Sequence, residues 1–319
     1  MVLTKDHLAF FKSNGYLILP QVLEPNLCLQ ARDMIWSSLP KTSKIKREDP
    51  LTHVGPFDEI DAEEDVTNLR LEYKWQLRYV GTEKLIIDLV FSKKLKNIAE
   101  QLLGKNTLVV PKIGGKTMGS LGPAWPRGPV DPALDNEGAR GIYATLPYGK
   151  KSKEPDYCHT DGHPFNLGFV GLIDDVLPQG GAFKVWPGSH KRLYPTFQMQ
   201  YDQPRIPFYE HMPKFKGIIQ SSEYEEEIMK ILQDTVPVDC WGSAGDAVFF
   251  HHRLAHMAGH NYSDKMRLAV LYDFKKKDLD ECRTRPPHEN MWEDWSDLLK
   301  AAPETFSKDF AQVQRLNKA

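Results

Sequence analysis

Hydrophobic residues in the first hundred positions recur mostly at the spacing of amphipathic helices. Thr4 is a residue type that caps helix starts, and it precedes an apolar cluster around Phe10 that Gly15 ends. Pro25 opens a second helix, because proline fits the first helical turn. The other elements predicted here are a strand at 16–19, a solvated loop at 41–65 and helices at 83–91 and 93–103.

From residue 107 onward the pattern changes to short apolar runs that are rich in Val, Ile and Phe and separated by Gly, Pro and Asp. Such runs without regular helices between them predict strands of an antiparallel sandwich or barrel. Two long stretches, 114–149 and 195–234, interrupt the strands and are predicted to be lid-like insertions, the second ending in an acidic helix. The predicted strands cover 107–111, 165–173, 182–186, 236–240, 247–251 and 268–274.

Composition excludes several classes of protein and identifies none. The 319 residues include 41% hydrophobic and 26% charged residues, which is typical of a globular chain. The net charge of −2 argues against non-specific nucleic-acid binding, which needs a basic surface. Four widely spaced cysteines argue against a thiolate zinc site, and no apolar run approaches a membrane span or a secretory leader. We therefore expect a cytoplasmic protein without a nucleic-acid or membrane partner.

The first candidate for chemistry is the pair His159 and Asp161. In an extended strand these residues point to the same face, with Cα atoms about 6–7 Å apart, so both side chains can reach one metal ion. His163 lies on the same face but about 13 Å from His159, which is too far to complete the set in an extended strand. A third ligand is expected from elsewhere, and a pair of this kind alone is a weak signal.

The second candidate is a group of four histidines that directly follows an apolar strand. Their spacing does not choose which of them binds a metal. Arg267, eleven residues beyond the third of them, opens the last apolar run and can pair with a carboxylate through two hydrogen bonds, or form an ordinary surface ion pair. The four histidines are His251, His252, His256 and His260.

Together these segments resemble the phytanoyl-CoA dioxygenase (PhyH) family of Fe(II)- and 2-oxoglutarate-dependent oxygenases. The resemblance covers LTKDHLAFFKSNGYLILPQVL at 3–23, the HTD of 159–161, GGAFKVWPGSHK at 180–191, and the segment from Gly245 through His256 to Arg267. Two histidines and one carboxylate with open positions form the facial triad of non-haem iron oxygenases. The family pattern selects His256 among the four histidines and leaves the other three to packing or to contacts with the ligands.

The resemblance implies an oxidoreductase of the dioxygenase type. His159, Asp161 and His256 would bind Fe(II), Arg267 would bind the C5 carboxylate of 2-oxoglutarate, and O2 would be the other reactant. Related halogenases replace the carboxylate ligand with a small residue. Asp161 therefore favours a hydroxylase, or another reaction that removes hydrogen from a C–H bond of a small-molecule substrate.

The family also implies a double-stranded β-helix, a jelly-roll (cupin-like) barrel in a mainly β chain with a helical buttress. The chain is then one domain, with helical support over 1–106, a core over 107–282 and a helical tail over 283–319, as a monomer or homodimer. His163, Phe165 and Trp186 are candidates for lining the pocket. Alternatives are an acyl-CoA hydroxylase, a catalytically silent jelly-roll binding protein and a zinc hydrolase.

Overall fold

A computed structural model describes residues 2–65, 67–118, 136–161, 165–196, 222–282 and 287–315. Its N-terminal part confirms the predicted helices. Helix α1 begins after Thr4, whose hydroxyl accepts from the backbone N–H of His7 at 3.2 Å, and it ends at Gly15 in the left-handed conformation (φ 80°). The helices of this part are α1 (Lys5–Asn14), α2 (Pro25–Ser37), α3 (Lys84–Val90) and α4 (Lys93–Leu103), with 3-10 turns at Pro50–His53 and Tyr79–Thr82.

In the described part of the chain, ten strands form two antiparallel sheets. The larger sheet has the order β1-β8-β5-β10-β4-β3-β2 and the smaller one the order β7-β6-β9. This arrangement of a major and a minor sheet confirms the predicted jelly-roll class, although within the described residues the two sheets do not join into a continuous closed barrel. The strands are β1 (Tyr16–Leu19), β2 (Asn68–Leu71), β3 (Lys74–Leu77), β4 (Gly141–Thr145), β5 (Leu167–Leu172), β6 (Phe183–Val185), β7 (Val238–Asp239), β8 (Ala247–His251), β9 (His256–Ala258) and β10 (Arg267–Phe274).

Several observed strands, including the short β9, were not predicted, and one predicted strand was wrong. Strand β4 lies inside the stretch 114–149 that was predicted to be an insertion, and it pairs with both β10 and β3. The hairpin of β2 and β3 was also missed, because its polar and charged residues alternate with few apolar ones. Conversely, the predicted strand at 107–111 is reduced to one bridge between Leu108 and Lys276.

Five further helices complete the described chain. Helix α5 (Ser189–Leu193) follows β6, and α6 (Ser222–Asp234) precedes β7, where an acidic helix was predicted. Helices α7 (Leu279–Cys282), α8 (Asp297–Ala301) and α9 (Lys308–Val313) form the helical tail. No described helix is long and apolar enough to cross a membrane.

The tail closes one edge of the major sheet. Gln314 is buried beside β1, where its side-chain oxygen accepts from Ile18 N–H at 2.6 Å and its amide donates to the Ile18 carbonyl at 2.9 Å. The Tyr16 hydroxyl donates to the Gln314 backbone carbonyl at 2.8 Å. A glutamine side chain thus takes the place of a neighbouring strand and satisfies an edge that would otherwise be open.

The tail also packs on a buried pair of histidines. His251 stacks on Trp295 with ring centroids 4.9 Å apart, and the ring of His190 lies 5.3 Å from that of His251. Burial lowers the pKa of His190 to about 3, and burial together with the neighbouring His190 lowers the pKa of His251 well below its usual value. Both rings are therefore neutral in the folded protein near pH 7.

We expect Gln314→Ala to lower the free energy of unfolding by about 1–3 kcal/mol, because two backbone groups of Ile18 lose their partner. Urea denaturation would measure this. Gln312→Ala, at an exposed position of the same helix, is the control and should change little. Equal effects of the two substitutions would contradict this role of Gln314.

The histidine pair predicts a pH dependence of stability. Below about pH 6.5 the unfolded chain binds protons at both histidines and the folded chain does not, so stability is full above that pH and falls as the pH decreases towards the folded-state pKa. The loss should be about 1.4 kcal/mol for each histidine and each pH unit below about pH 6. Unfolding curves between pH 7 and 5 should show a shallower loss for His251→Gln. His288→Gln, at a partly exposed histidine, should keep the original slope.

Candidate metal centre

A backbone pairing brings His159 and His256 together. The N–H of His159 donates to the carbonyl of His256 at 3.1 Å, and the reverse bond is 2.9 Å long. Residues paired in this way place their side chains on the same face of the ribbon. The two imidazole rings accordingly lie 4.8 Å apart. We call residues 158–161 and 255–258 the ligand ribbon.

Asp161 adds a carboxylate to the same face, as the i, i+2 spacing predicted. Its Oδ1 lies 3.9 Å from Nε2 of His159, and its Oδ2 lies 3.6 Å from Nε2 of His256. The ligand atoms of the three residues all lie within 4.8 Å of one another. Because metal–ligand bonds are about 2 Å long, two ligands of one ion lie up to about 4 Å apart. The three side chains need only a small inward movement to share an ion.

Both imidazoles present a ring nitrogen to the centre. Nδ1 of His256 lies 2.8 Å from the carbonyl of Leu254, so Nδ1 donates a hydrogen bond and Nε2 is the nitrogen on the side of Asp161. Burial lowers the pKa of His159 to about 3, with a smaller contribution from the nearby His256. Neutral imidazole is the ligand form, so His159 does not have to lose a proton at pH 7 before it binds a metal.

Arg140 holds the carboxylate in place, and no sequence pattern predicted this role. Its Nη1 donates to Oδ2 of Asp161 at 2.9 Å and lies 3.8 Å from Oδ1 of Asp273. Burial lowers the pKa of Arg140, but the two carboxylates outweigh burial and keep it above its usual value. Arg140 lies in a stretch that was predicted to be irregular, and only the folded chain places it against a residue 21 positions away.

Arg267 is a buried cation of a different kind. It donates to the carbonyl of Gly181 at 3.0 Å, to the carbonyl of Tyr143 at 3.3 Å and to the hydroxyl of Thr145 at 2.9 Å. All three acceptors are neutral, and in the described part of the chain no carboxylate lies within ion-pair distance of Arg267. Burial lowers its pKa to about 10, so it remains charged at pH 7.

The donors of Arg267 leave room for an anion. A guanidinium carries five N–H groups, so one N–H on each terminal nitrogen has no acceptor among the described residues. Two such groups match the two oxygens of a carboxylate. Gly181, which binds Arg267, lies two residues before Phe183, whose ring is 5.0 Å from that of His256. Arg267 and His256 therefore contact positions two residues apart in the segment that leads into β6.

The three other predicted pocket residues have different outcomes. His163 lies outside the described residues. Phe165 is buried and packs on His252, with ring centroids 4.1 Å apart. Trp186 is only 1% exposed and belongs to a small apolar cluster, so the structure shows it packing against neighbours. A substrate contact for any of the three stays a prediction.

The three histidines that the family pattern did not select have different surroundings. Nε2 of His252 is 3.2 Å from the backbone carbonyl of Asp161, so this histidine contacts the main chain of a candidate ligand. His260 lies 3.7 Å from Glu154 and stacks near Tyr148. His251 belongs to the joint with the tail. This separation of roles follows from the turn between β8 and β9, which spacing alone does not predict.

Comparison with protein families gives one match. Residues 148–269, a little over a third of the chain, match the family described as Phytanoyl-CoA dioxygenase (PhyH). The chain thus carries a PhyH domain, and the family predicted from the sequence is confirmed. The match also confirms the predicted class, an Fe(II)- and 2-oxoglutarate-dependent oxygenase, and the described ligand set suits its metal. No curated protein matches the chain.

Several solved structures are similar at low identity. The carbocyclase SnoK from nogalamycin biosynthesis, described as non-heme and alpha ketoglutarate dependent, is 19% identical with a TM-score of 0.48, over 92% of this chain and 95% of that one. EctD from S. alaskensis with bound Fe is 14% identical with a TM-score of 0.49, over 86% of this chain and 77% of that one. AviO1 from Streptomyces viridochromogenes Tue57 is 13% identical with a TM-score of 0.42, over 86% and 97%. At these scores the likenesses carry no assignment.

The geometry predicts one divalent cation per chain. We expect Co(II), an oxidation-resistant substitute for Fe(II), to bind in a 1:1 ratio, and His159→Ala, Asp161→Ala and His256→Ala each to weaken binding by more than about 100-fold. Titration followed by Co(II) absorption would measure this. His288→Ala, which removes a histidine paired with Asp294 outside the centre, is the control. Retained binding in any of the three ligand variants would exclude that residue.

Proposed function

We propose that this protein uses Fe(II), 2-oxoglutarate and O2 to oxidise a C–H bond of a small molecule, with hydroxylation as the simplest outcome. His159, Asp161 and His256 bind the iron, and Arg267 binds the C5 carboxylate of 2-oxoglutarate, which is converted to succinate and CO2. The observation that carries this proposal is Arg267 itself, a buried guanidinium that contacts only neutral acceptors within the described residues. Such a cation beside a metal centre favours an anionic cosubstrate.

The ligand set supports iron. Two imidazoles and one carboxylate are the donors of the non-haem Fe(II) facial triad, and they leave positions for other ligands. Bound Fe(II) would supply the activation of O2, which protein side chains cannot provide. The chain contributes two imidazoles and a carboxylate that Arg140 holds in one orientation.

Arg267 supports orientation of the cosubstrate. Its three hydrogen bonds to Gly181, Tyr143 and Thr145 fix the plane of the guanidinium before any anion arrives. A fixed planar fork binds a carboxylate in one pose and loses little freedom in doing so. Burial also removes competing water, which strengthens the ion pair.

The other expectations from the sequence have less support. An acyl-CoA substrate remains the alternative, and no contact of the described residues favours it. The predicted alternatives of a catalytically silent binding protein and a zinc hydrolase do not agree with the confirmed oxygenase class. The single-domain division, the cytoplasmic location and the monomeric or homodimeric state stay predictions.

We predict that Arg267→Ala raises the concentration of 2-oxoglutarate needed for half-maximal succinate formation by about 10- to 100-fold, because the carboxylate loses a charge-assisted pair. For Arg267→Lys the required concentration of 2-oxoglutarate should lie between those of the wild type and Arg267→Ala, since lysine keeps the charge but cannot donate two parallel hydrogen bonds. Succinate released in the uncoupled reaction, with Fe(II) in excess, is the readout.

The control is Arg32→Ala, which breaks a partly buried ion pair to Asp174 outside the centre. It should leave the requirement for 2-oxoglutarate unchanged. A requirement that Arg267→Ala does not alter would exclude this role for Arg267, provided that the variant remains folded.

A further inference from the structure

The ligand ribbon has a second face that binds no metal. Side chains alternate along an extended chain, so the neighbours of the ligands point away from the centre. These neighbours are fully enclosed, although they lie on the far side of the ribbon from the ligands. Cys158, Thr160, Ala255 and Met257 all have no exposed surface. Some other element must therefore cover this rear face.

Helix α6 covers it. Tyr224, Ile228 and Ile231 follow one another at i, i+4 and i+7, and none is more than 2% exposed. They form a cluster, separate from the main core, which also contains Trp186 and Leu193. The remaining members of this cluster are Cys158, Ala255 and Met257 from the ligand ribbon. We call this group of residues the rear cluster.

A polar contact sets the position of α6 along the ligand ribbon. The hydroxyl of Tyr224 accepts from the backbone N–H of Thr160 at 3.0 Å and lies 3.0 Å from the Thr160 hydroxyl. Thr160 stands between His159 and Asp161, so the phenol holds the first of the two peptides that link two candidate ligands. A buried N–H that loses its acceptor is costly, so this contact favours one position of the helix along the ribbon.

Arg192 holds the other end of the helix. It lies on α5 and pairs with Glu227 and, at 2.6 Å, with Asp234. Helix α6 is thus held by the ligand ribbon near its start and by α5 near its end. It ends the stretch 195–234 that was predicted to be a lid-like insertion, yet its described contacts are with the back of the metal centre.

We propose that Tyr224 is a positioning residue for the metal centre, and that docking of α6 on the rear cluster and binding of the metal stabilise each other. This inference rests on the proposed metal-binding role of the three ligands. If docking of the helix sets the spacing of His159 and Asp161, it strengthens metal binding. By linkage, a bound metal then strengthens docking of the helix by the same factor.

Tyr224→Phe tests this directly, because it removes one hydroxyl and keeps the ring. We expect the dissociation constant for Co(II) to rise by about 10-fold or more, in the range found when support of metal ligands is lost. The matched control is Tyr16→Phe, which removes the hydroxyl of another fully buried tyrosine, bonded to Gln314 on the far edge of the major sheet. This control should lose stability without losing affinity for Co(II).

Hydrogen exchange on the wild-type chain provides the second measurement and does not depend on folding of a variant. Saturating Co(II) should slow amide exchange in α6 by about 5-fold or more, because a bound metal stabilises the docked helix. Exchange in α2, which lies outside the rear cluster, should not change.

Two results would overturn the inference. One is an affinity for Co(II) in Tyr224→Phe equal to that of the wild type, and the other is exchange in α6 that Co(II) does not alter. A wild-type chain that binds no Co(II) would instead contradict the proposed function, so the two failures are distinguishable. If Tyr224→Phe does not fold, the exchange measurement alone decides.

Discussion

The structure depends on one backbone pairing, that of His159 with His256. These residues lie almost a hundred positions apart, and two hydrogen bonds between them join the segments that carry all three candidate ligands. Because side chains alternate along each segment, this single register determines which side chains lie on each face of the ribbon. One face gathers two imidazoles and the carboxylate of Asp161, and the other face receives helix α6. A shift of one residue would exchange the ligands for the apolar side chains of the rear cluster.

Two arginines, the largely buried Arg140 and the buried Arg267, have different electrostatic surroundings. Arg140 faces the carboxylates of Asp161 and Asp273, so its charge is balanced inside the protein. Arg267 contacts only neutral acceptors within the described chain, and burial lowers its pKa without reversing its charge. A buried cation without a counter-ion is unfavourable unless an anion joins it. This contrast is the reason why we propose Arg140 as a support for a metal ligand and Arg267 as the site for a carboxylate.

Sequence alone predicted the parts of this protein that depend on local periodicity. The first helices, β8 and β10 follow apolar patterns, and His159 with Asp161 follows the alternation of a strand. Sequence patterns did not predict features that depend on tertiary contacts. Strand β4 lies in a stretch with several Gly and Pro, and Arg140 acquires its role only by tertiary contact. The same limit applied to the histidines after β8, since a turn, and not their spacing, separates the ligand from its neighbours.

We propose above all that the metal and 2-oxoglutarate bind at one site, formed by the ligand ribbon and Arg267. Calorimetric titration of 2-oxoglutarate, without O2, into the full chain with and without Co(II) tests it most directly. The account predicts one binding site per chain, with affinity that rises strongly when Co(II) is bound, because the cosubstrate then contacts both the metal and the arginine. Absence of binding to the Co(II)-loaded chain, or an affinity that is independent of the metal, would contradict it.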